Sequence, residues 1–413
     1  MSENKVVLFI GAFDTKGEEY AYVKTLVERR GHQVITINIG VIDPPRHIQP
    51  DWDADQVAEA AGSTIDELRR RGDRGHAMTV MSRGAAKLVR KLYDEGAFHG
   101  ILGMGGTGGT SVISEAMRGL PIGFPKLIVS TAASGDTRAI VGTKDIALIP
   151  SVVDVAGINR ISRQIYAEAA GAICGMVERE ADNGAEDKPI VAITMFGNTT
   201  ECVDRCREQL TEAGYECLIF HCTGVGGRTM EDLVLDGKIA AVLDITTTEW
   251  ADELCGGVFS AGPSRLEAPG IAGIPHLIVP GCIDMANFGG KETVPAQYQD
   301  RKLVVWNPAV TLMRTNVEEN RRMGEIFAEK ANRAAGPVRV LLPLKGVSIL
   351  DSEGNDFWWP EANQAMFEAL KANLQSRIPV EEMDVNINDP SFSSRAVQLM
   401  LDMIQEWKSS QSG

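Results

Sequence analysis

Short, unbroken apolar runs alternate along this chain with segments whose apolar residues recur every three or four positions. That is the pattern of a parallel sheet covered by helices on both faces. The run Val6–Ile10 leads into Gly11-Ala12-Phe13-Asp14-Thr15-Lys16-Gly17-Glu18; the spacing then predicts a helix over 16–30, ended by Gly31, and a strand over 33–39. The phrase returns at Ile190–Thr194, followed by Phe196-Gly197-Asn198-Thr199-Thr200-Glu201, a helical segment ended by Gly214, and a strand from Cys217. Phe13 and Phe196, Glu18 and Glu201, and Gly31 and Gly214 keep one offset. Later runs echo too: Gly100–Met104 with Ala240–Asp244, and Gly123–Val129 with Gly273–Val279. The expected fold is α/β: two tandem Rossmann-like, doubly wound domains with mainly parallel sheets, related by internal duplication. Right-handed crossovers put all strand C-termini along one edge, and ligands bind in the crevice there; the expected place is an inter-domain crevice.

A polar break at 181–188 separates domains expected at 1–183 and 188–413. The first carries an insertion over about 43–83, with a helix near 54–71 and no evident role beyond covering an edge or a partner. The second has further strands at 303–306, 338–342 and 381–386 and helices at 361–374 and 393–408.

Composition narrows the classes. The chain has 413 residues, 44% hydrophobic and 23% charged, with a net charge of −15, which argues against a general nucleic-acid binder but allows one anion held locally by backbone amides. No apolar run is long enough for a membrane span and the start does not read as a secretory signal. Seven scattered cysteines suit reduced thiols, so the expected location is cytoplasmic. Cys202 and Cys206 share a helix face without a second pair at metal-ligand spacing, so no metal site is expected. Trp358 and Trp359, in a loop before a helix, suit packing or a subunit contact.

The richest chemistry lies in Gly103-Met104-Gly105-Gly106-Thr107-Gly108-Gly109-Thr110-Ser111, between a strand and a helix. Glycines there turn the backbone sharply and leave amides free to face an anion at the helix N-terminus; Thr107, Thr110 and Ser111 add hydroxyls. Gly103, Gly105 and Gly108 spell G-x-G-x-x-G, but on a later strand than a dinucleotide fold uses and with no acidic residue closing the next strand, which argues against a nicotinamide cofactor. The Walker A Gly-Lys-Ser/Thr is missing. Ser130, Thr131 and Arg138, after the adjacent strand, are expected to complete a phosphate or sugar pocket. Thr15 and Glu18, like Asn198 and Glu201, have capping-box spacing; Asp14 and Lys16, which capping does not explain, are ligand-contact candidates. In the second half Asp244-Ile245-Thr246-Thr247-Thr248-Glu249 stands where the glycine loop stood. Asp244, Glu249 and His221 are therefore candidates for acid–base work, with Arg265, Glu267, His276 and Asp284 near other strand ends.

Phe13–Glu18, Gly103–Ser111, Gly262-Pro263-Ser264-Arg265-Leu266-Glu267, Pro280–Asp284 and Asn307–Thr315 together resemble the ATP-binding domain of the tomato mosaic virus resistance protein and its uncharacterised bacterial relatives. The resemblance covers essentially the whole chain. It implies two Rossmann-like subdomains, ATP as ligand and a homodimer; magnesium is expected to accompany the ATP. The plant protein's further TIM-barrel domain suggests a separately encoded TIM-barrel enzyme as a partner. Three readings stay open: a nucleotide-binding protein, a metabolic enzyme acting on a small phosphorylated or carboxylated substrate, and a ligand-gated subunit.

Overall fold

The computed structural model describes residues 4–179 and 188–411. It divides into two compact units, 1–184 and 185–413; most of the polar break, residues 181–187, lies outside the described residues. In the first unit β1 (Val6–Gly11), α1 (Phe13–Glu28) and β2 (Gln33–Asn38) are followed by α2 (Ala54–Ala60), α3 (Ile65–Arg71) and α4 (Arg74–Asp94). Then come β3 (Gly100–Gly105), α5 (Thr107–Arg118), β4 (Lys126–Ser130), α6 (Arg138–Val141), β5 (Ala147–Pro150) and α7 (Arg160–Glu178). The strands form one parallel sheet in the order β2-β1-β3-β4-β5.

The second unit repeats the plan. It runs β6 (Ile190–Met195), α8 (Thr200–Glu212), β7 (Glu216–His221), α9 (Val225–Leu235), β8 (Ala241–Thr246), α10 (Glu249–Cys255), α11 (Ala268–Ala272) and β9 (His276–Gly281). After β10 (Met285–Phe288), β11 (Leu303–Asn307) and β12 (Val310–Arg314) come α12 (Val317–Arg333), β13 (Val338–Pro343), α13 (Pro360–Asn373), β14 (Val380–Met383) and α14 (Pro390–Gln411). Its main sheet, also parallel, reads β7-β6-β8-β9-β13-β14 from one edge, the first unit's order plus one strand. Gly31 and Gly214, the repeat's helix stops, both take left-handed φ, 91° and 93°, which glycine adopts without a steric penalty. The fold is the expected pair of Rossmann-like α/β units. Not expected are α12 and the small antiparallel sheet β10-β12-β11.

The insertion holds more helix than its sequence suggested. Gly62, with φ of 79°, breaks the expected single helix into α2 and α3. Each part opens with a capping box, Asp53 with Gln56 and Thr64 with Glu67. The two boxes expected elsewhere do not form. α1 starts at Phe13 with Ala12 as its N-cap, so Thr15 is already inside the helix and its hydroxyl donates to the Ala12 carbonyl (3.4 Å). In α8 the N-cap is Thr199, and Asn198 is buried one residue earlier.

All seven cysteines are free, Cys202 and Cys206 sitting in the apolar layer between α8 and α14. Among the described residues no His/Cys/Asp/Glu group could hold a metal ion and no helix is long and apolar enough to cross a membrane.

One buried hydroxyl ties the strands that position the site. Tyr20 Oη donates to the Ile10 carbonyl (2.6 Å) and accepts from the Met104 amide, bridging β1 and β3 near their C-termini. Gly11 makes room, since a Cβ there would lie 2.1 Å from that oxygen. Tyr20→Phe keeps the ring and strands the buried amide, so urea unfolding should show a loss of about 1–3 kcal/mol. A loss indistinguishable from zero would mean that water replaces the hydroxyl.

Candidate functional site

From β1 the chain turns to β2 on one side, and from β3 to β4 on the other, so the gap between the ends of β1 and β3 is the topological switch point of the sheet. A cleft of about 810 Å³ opens there, within the usual range for small-molecule sites. Ala12, Asp14, Thr15 and Lys16 line it after β1, Gly105 to Gly109 after β3, and Ile39 to Ile42 after β2. The insertion closes the remaining side with Leu68, Arg69, Arg74, Ala77, Met78 and Met81 from α3 and α4. One end is polar main chain; the side closed by the insertion mixes apolar side chains with Arg69, Asp73 and Arg74.

The polar end is the start of α5. Its N-cap is Gly106, no side chain caps it, and the Thr110 amide makes the turn's bond to the Gly106 carbonyl (2.9 Å). The Thr107, Gly108 and Gly109 amides precede any intrahelical partner. Glycines keep that surface bare: a Cβ on Gly109 would meet nothing within 4 Å, while one on Gly108 would lie 3.3 Å from Arg74 Nη2. Gly103 serves packing instead, since a Cβ there would lie 2.4 Å from Ile113.

The two polar candidates after β1 differ in state. Asp14 is 6% exposed; its Oδ2 accepts from the Ile42 amide (3.0 Å), while Oδ1 is buried without a partner. Gly40 permits this placement, because a Cβ there would lie 2.3 Å from Oδ1. Lys16 sits at a kink in α1 and its ammonium donates to the Val155 carbonyl.

Five expected cofactor contacts, Thr110, Ser111, Ser130, Thr131 and Arg138, are not part of the cleft wall. The Thr110 and Ser130 hydroxyls bond each other at 2.7 Å, fastening α5 to β4 inside the core. Ser111 is exposed on α5, and Thr131 opens a short 3-10 turn. Arg138 departs furthest from expectation: its side chain is 89% exposed and forks onto Asp136, whose carboxyl these bonds pull down to about 2.

The second unit turns its carboxylates inward. Arg265, 1% exposed, bonds both oxygens of Asp244 at 2.6 Å, Glu249 Oε2 at 2.7 Å and Glu231 Oε1 at 3.3 Å, and His276 bonds Asp244 at 3.2 Å. Glu249 Oε1 accepts from the Gly224 and Gly227 amides (2.8 and 3.1 Å), so a side-chain carboxylate occupies the N-terminus of α9. Burial pushes the Asp244 carboxyl up, but the charge and bonds of Arg265, with those of His276, outweigh it and hold Asp244 well below the carboxylate range. For Glu249 and Glu231 burial prevails over Arg265 and their carboxyls are raised. Two of the acid–base candidates, Asp244 and Glu249, are thus engaged within an ion cluster. His221, the third, is exposed at the end of β7 beside Phe196 (ring centroids 5.4 Å apart), and burial of its inner face lowers its imidazole pKa.

Two family models divide the chain between them: the N-terminal domain of the uncharacterised protein family UPF0261 matches residues 5–182 and its C-terminal domain residues 188–404. The chain belongs to the UPF0261 family. It is 46% identical over 404 residues to a UPF0261 protein of Clostridium tetani, covering 98% of this chain and 100% of that one. A UPF0261 protein of Rhizobium meliloti is 42% identical over 401 residues, 97% of this chain and 99% of that one. The ToMV resistance protein Tm-1(GCR237) of Solanum lycopersicum is 45% identical over 337 residues; the match spans 80% of this UPF0261 chain but 45% of the plant protein. Among solved structures, a UDP-N-acetylglucosamine 2-epimerase from Rickettsia bellii aligns over 98% of this chain and 96% of that one, at 11% identity and a TM-score of 0.24.

Sequence reasoning missed the part of the UPF0261 cleft contributed by the insertion, Arg69, Arg74, Met78 and Met81 among it. The available signal was position: the insertion follows β2, whose C-terminus opens on the same edge as β1 and β3.

Proposed function

We propose that the first unit binds a nucleoside polyphosphate, ATP being the expected one, with phosphate oxygens on the amides of Thr107, Gly108 and Gly109 and the base against the apolar side chains of Ile39, Val41 and Met81. The observation that carries this reading is the uncapped, glycine-built N-terminus of α5 opening on a switch-point cleft, an arrangement suited to anions through its free amides and the positive end of the helix. The volume admits a nucleotide, and the cleft offers both free amides and apolar side chains to it. No reaction is assigned, because the carboxylates put forward for one, Asp244 and Glu249, already have partners. Calorimetric titration of the full chain with ATP and magnesium, with phosphate release followed on the same samples, tests the reading. Saturable binding is the expected result, and phosphate release separates an ATPase from a sensor. A chain that takes up neither ATP nor inorganic tripolyphosphate would overturn it.

A further inference from the structure

Two side chains at this cleft are placed in ways its own packing does not explain. Arg74, the first residue of α4, brings its Nη2 within 3.3 Å of the Cβ position of Gly108, in the first turn of α5. Arg74 is exposed and among the described residues its guanidinium has no hydrogen bond or ion pair; beside the positive end of a helix, water alone offsets its charge and an anion would do so better. Asp14 Oδ1, on the same cleft, is a buried acceptor with no donor, although such atoms are nearly always paired in folded proteins. Arg74 is thus open to an anion at the start of α5. The Asp14 oxygen asks for a donor, and an ionised carboxylate accepts only.

Resting on the nucleotide reading above, we infer that one ligand engages both groups: Arg74 clamps its phosphate against the start of α5, while Asp14 accepts from its sugar hydroxyls. The ligand class is thereby narrowed to ribonucleotides, and the insertion gains a role as the source of the phosphate clamp. Asp14 is free for this because its other oxygen is fixed by the Ile42 amide, which orients the carboxylate without using Oδ1.

The test is calorimetry on the full chain with three probes: ATP, 2′,3′-dideoxy-ATP and inorganic tripolyphosphate, each with magnesium and with EDTA. Arg74→Gln should weaken all three by about tenfold or more, the scale of a lost charge-assisted bond. Asp14→Asn keeps a carbonyl oxygen for the Ile42 amide; it should weaken ATP by about tenfold and leave tripolyphosphate and dideoxy-ATP within about twofold of wild type. Retained tripolyphosphate binding by Asp14→Asn also shows that the variant folds. If Asp14→Asn weakens all three probes alike, or acts only when magnesium is present, the hydroxyl assignment is overturned in favour of a structural or metal-holding carboxylate. If Arg74→Gln leaves every affinity unchanged, the clamp is overturned. Either result can occur with wild-type ATP binding intact, which separates failure of this inference from failure of the nucleotide reading.

Discussion

Arg265→Met is expected to cost the second unit about 3–5 kcal/mol, the largest stability loss foreseen for any single substitution in this chain. The side chain is nearly inaccessible and bonds Asp244, Glu249 and Glu231. Methionine fills much of the same space, so the loss would come from three carboxylates left buried without their cation rather than from a cavity. Urea unfolding across pH checks the cause. In wild type, Asp244 has a depressed folded-state pKa, so its stabilisation is present above the unfolded value and is lost as acid protonates it. In the variant the orphaned carboxyls have raised folded-state values, so stability is retained below the unfolded value of about 4 and falls as the pH rises. The gap between the two proteins should be widest near neutrality and close below about pH 4. A loss under about 1 kcal/mol at pH 7 would show that water or protonation neutralises the cluster cheaply.

The second large effect concerns ligand affinity with the fold intact. Gly109→Glu should reduce ATP affinity by at least about tenfold while leaving the first unit as stable as before, or more stable by about 0.3–1 kcal/mol. Gly109 lies in the first turn of α5 and its Cβ direction is open. Glutamate there replaces a poor helix former and puts a carboxylate beside the free amides, stabilising the helix end that an incoming phosphate would need. Gly109→Ala is the neutral control and should bind within about threefold of wild type. Affinity unchanged in Gly109→Glu would remove the ligand from the start of α5. Gly103→Ala should damage the fold instead, because its Cβ drives into Ile113; the opposite behaviour of two glycines in one motif separates packing from binding.

Much of the architecture was legible because it is written in local spacing. Apolar runs bounded by glycines mark the strands, and the offset shared by Phe13 with Phe196 and Gly31 with Gly214 announced a duplication that the matching sheet orders bear out. The glycine loop at the start of α5 was legible for the same reason, since a strand, a run of glycines and a helix are neighbours in sequence. Spacing did not settle the capping boxes at Thr15 and Asn198, where i,i+3 positions matched but the helices began elsewhere.

What the sequence determined by itself is the two-unit parallel α/β plan and the edge on which its loops gather, because strand and helix periodicity and crossover handedness act over short stretches. Only the tertiary structure decided which side chains face the cleft and which are consumed by partners. Arg265 reaches 34 residues back to Glu231, and Arg74 reaches α5 from an insertion that carried no assigned role. Arg138, expected in the pocket, forks onto Asp136 in the solvent. The physical reason is that a charge takes whichever partner the packed chain brings within reach, and that distance appears only once the helices lie on the sheet.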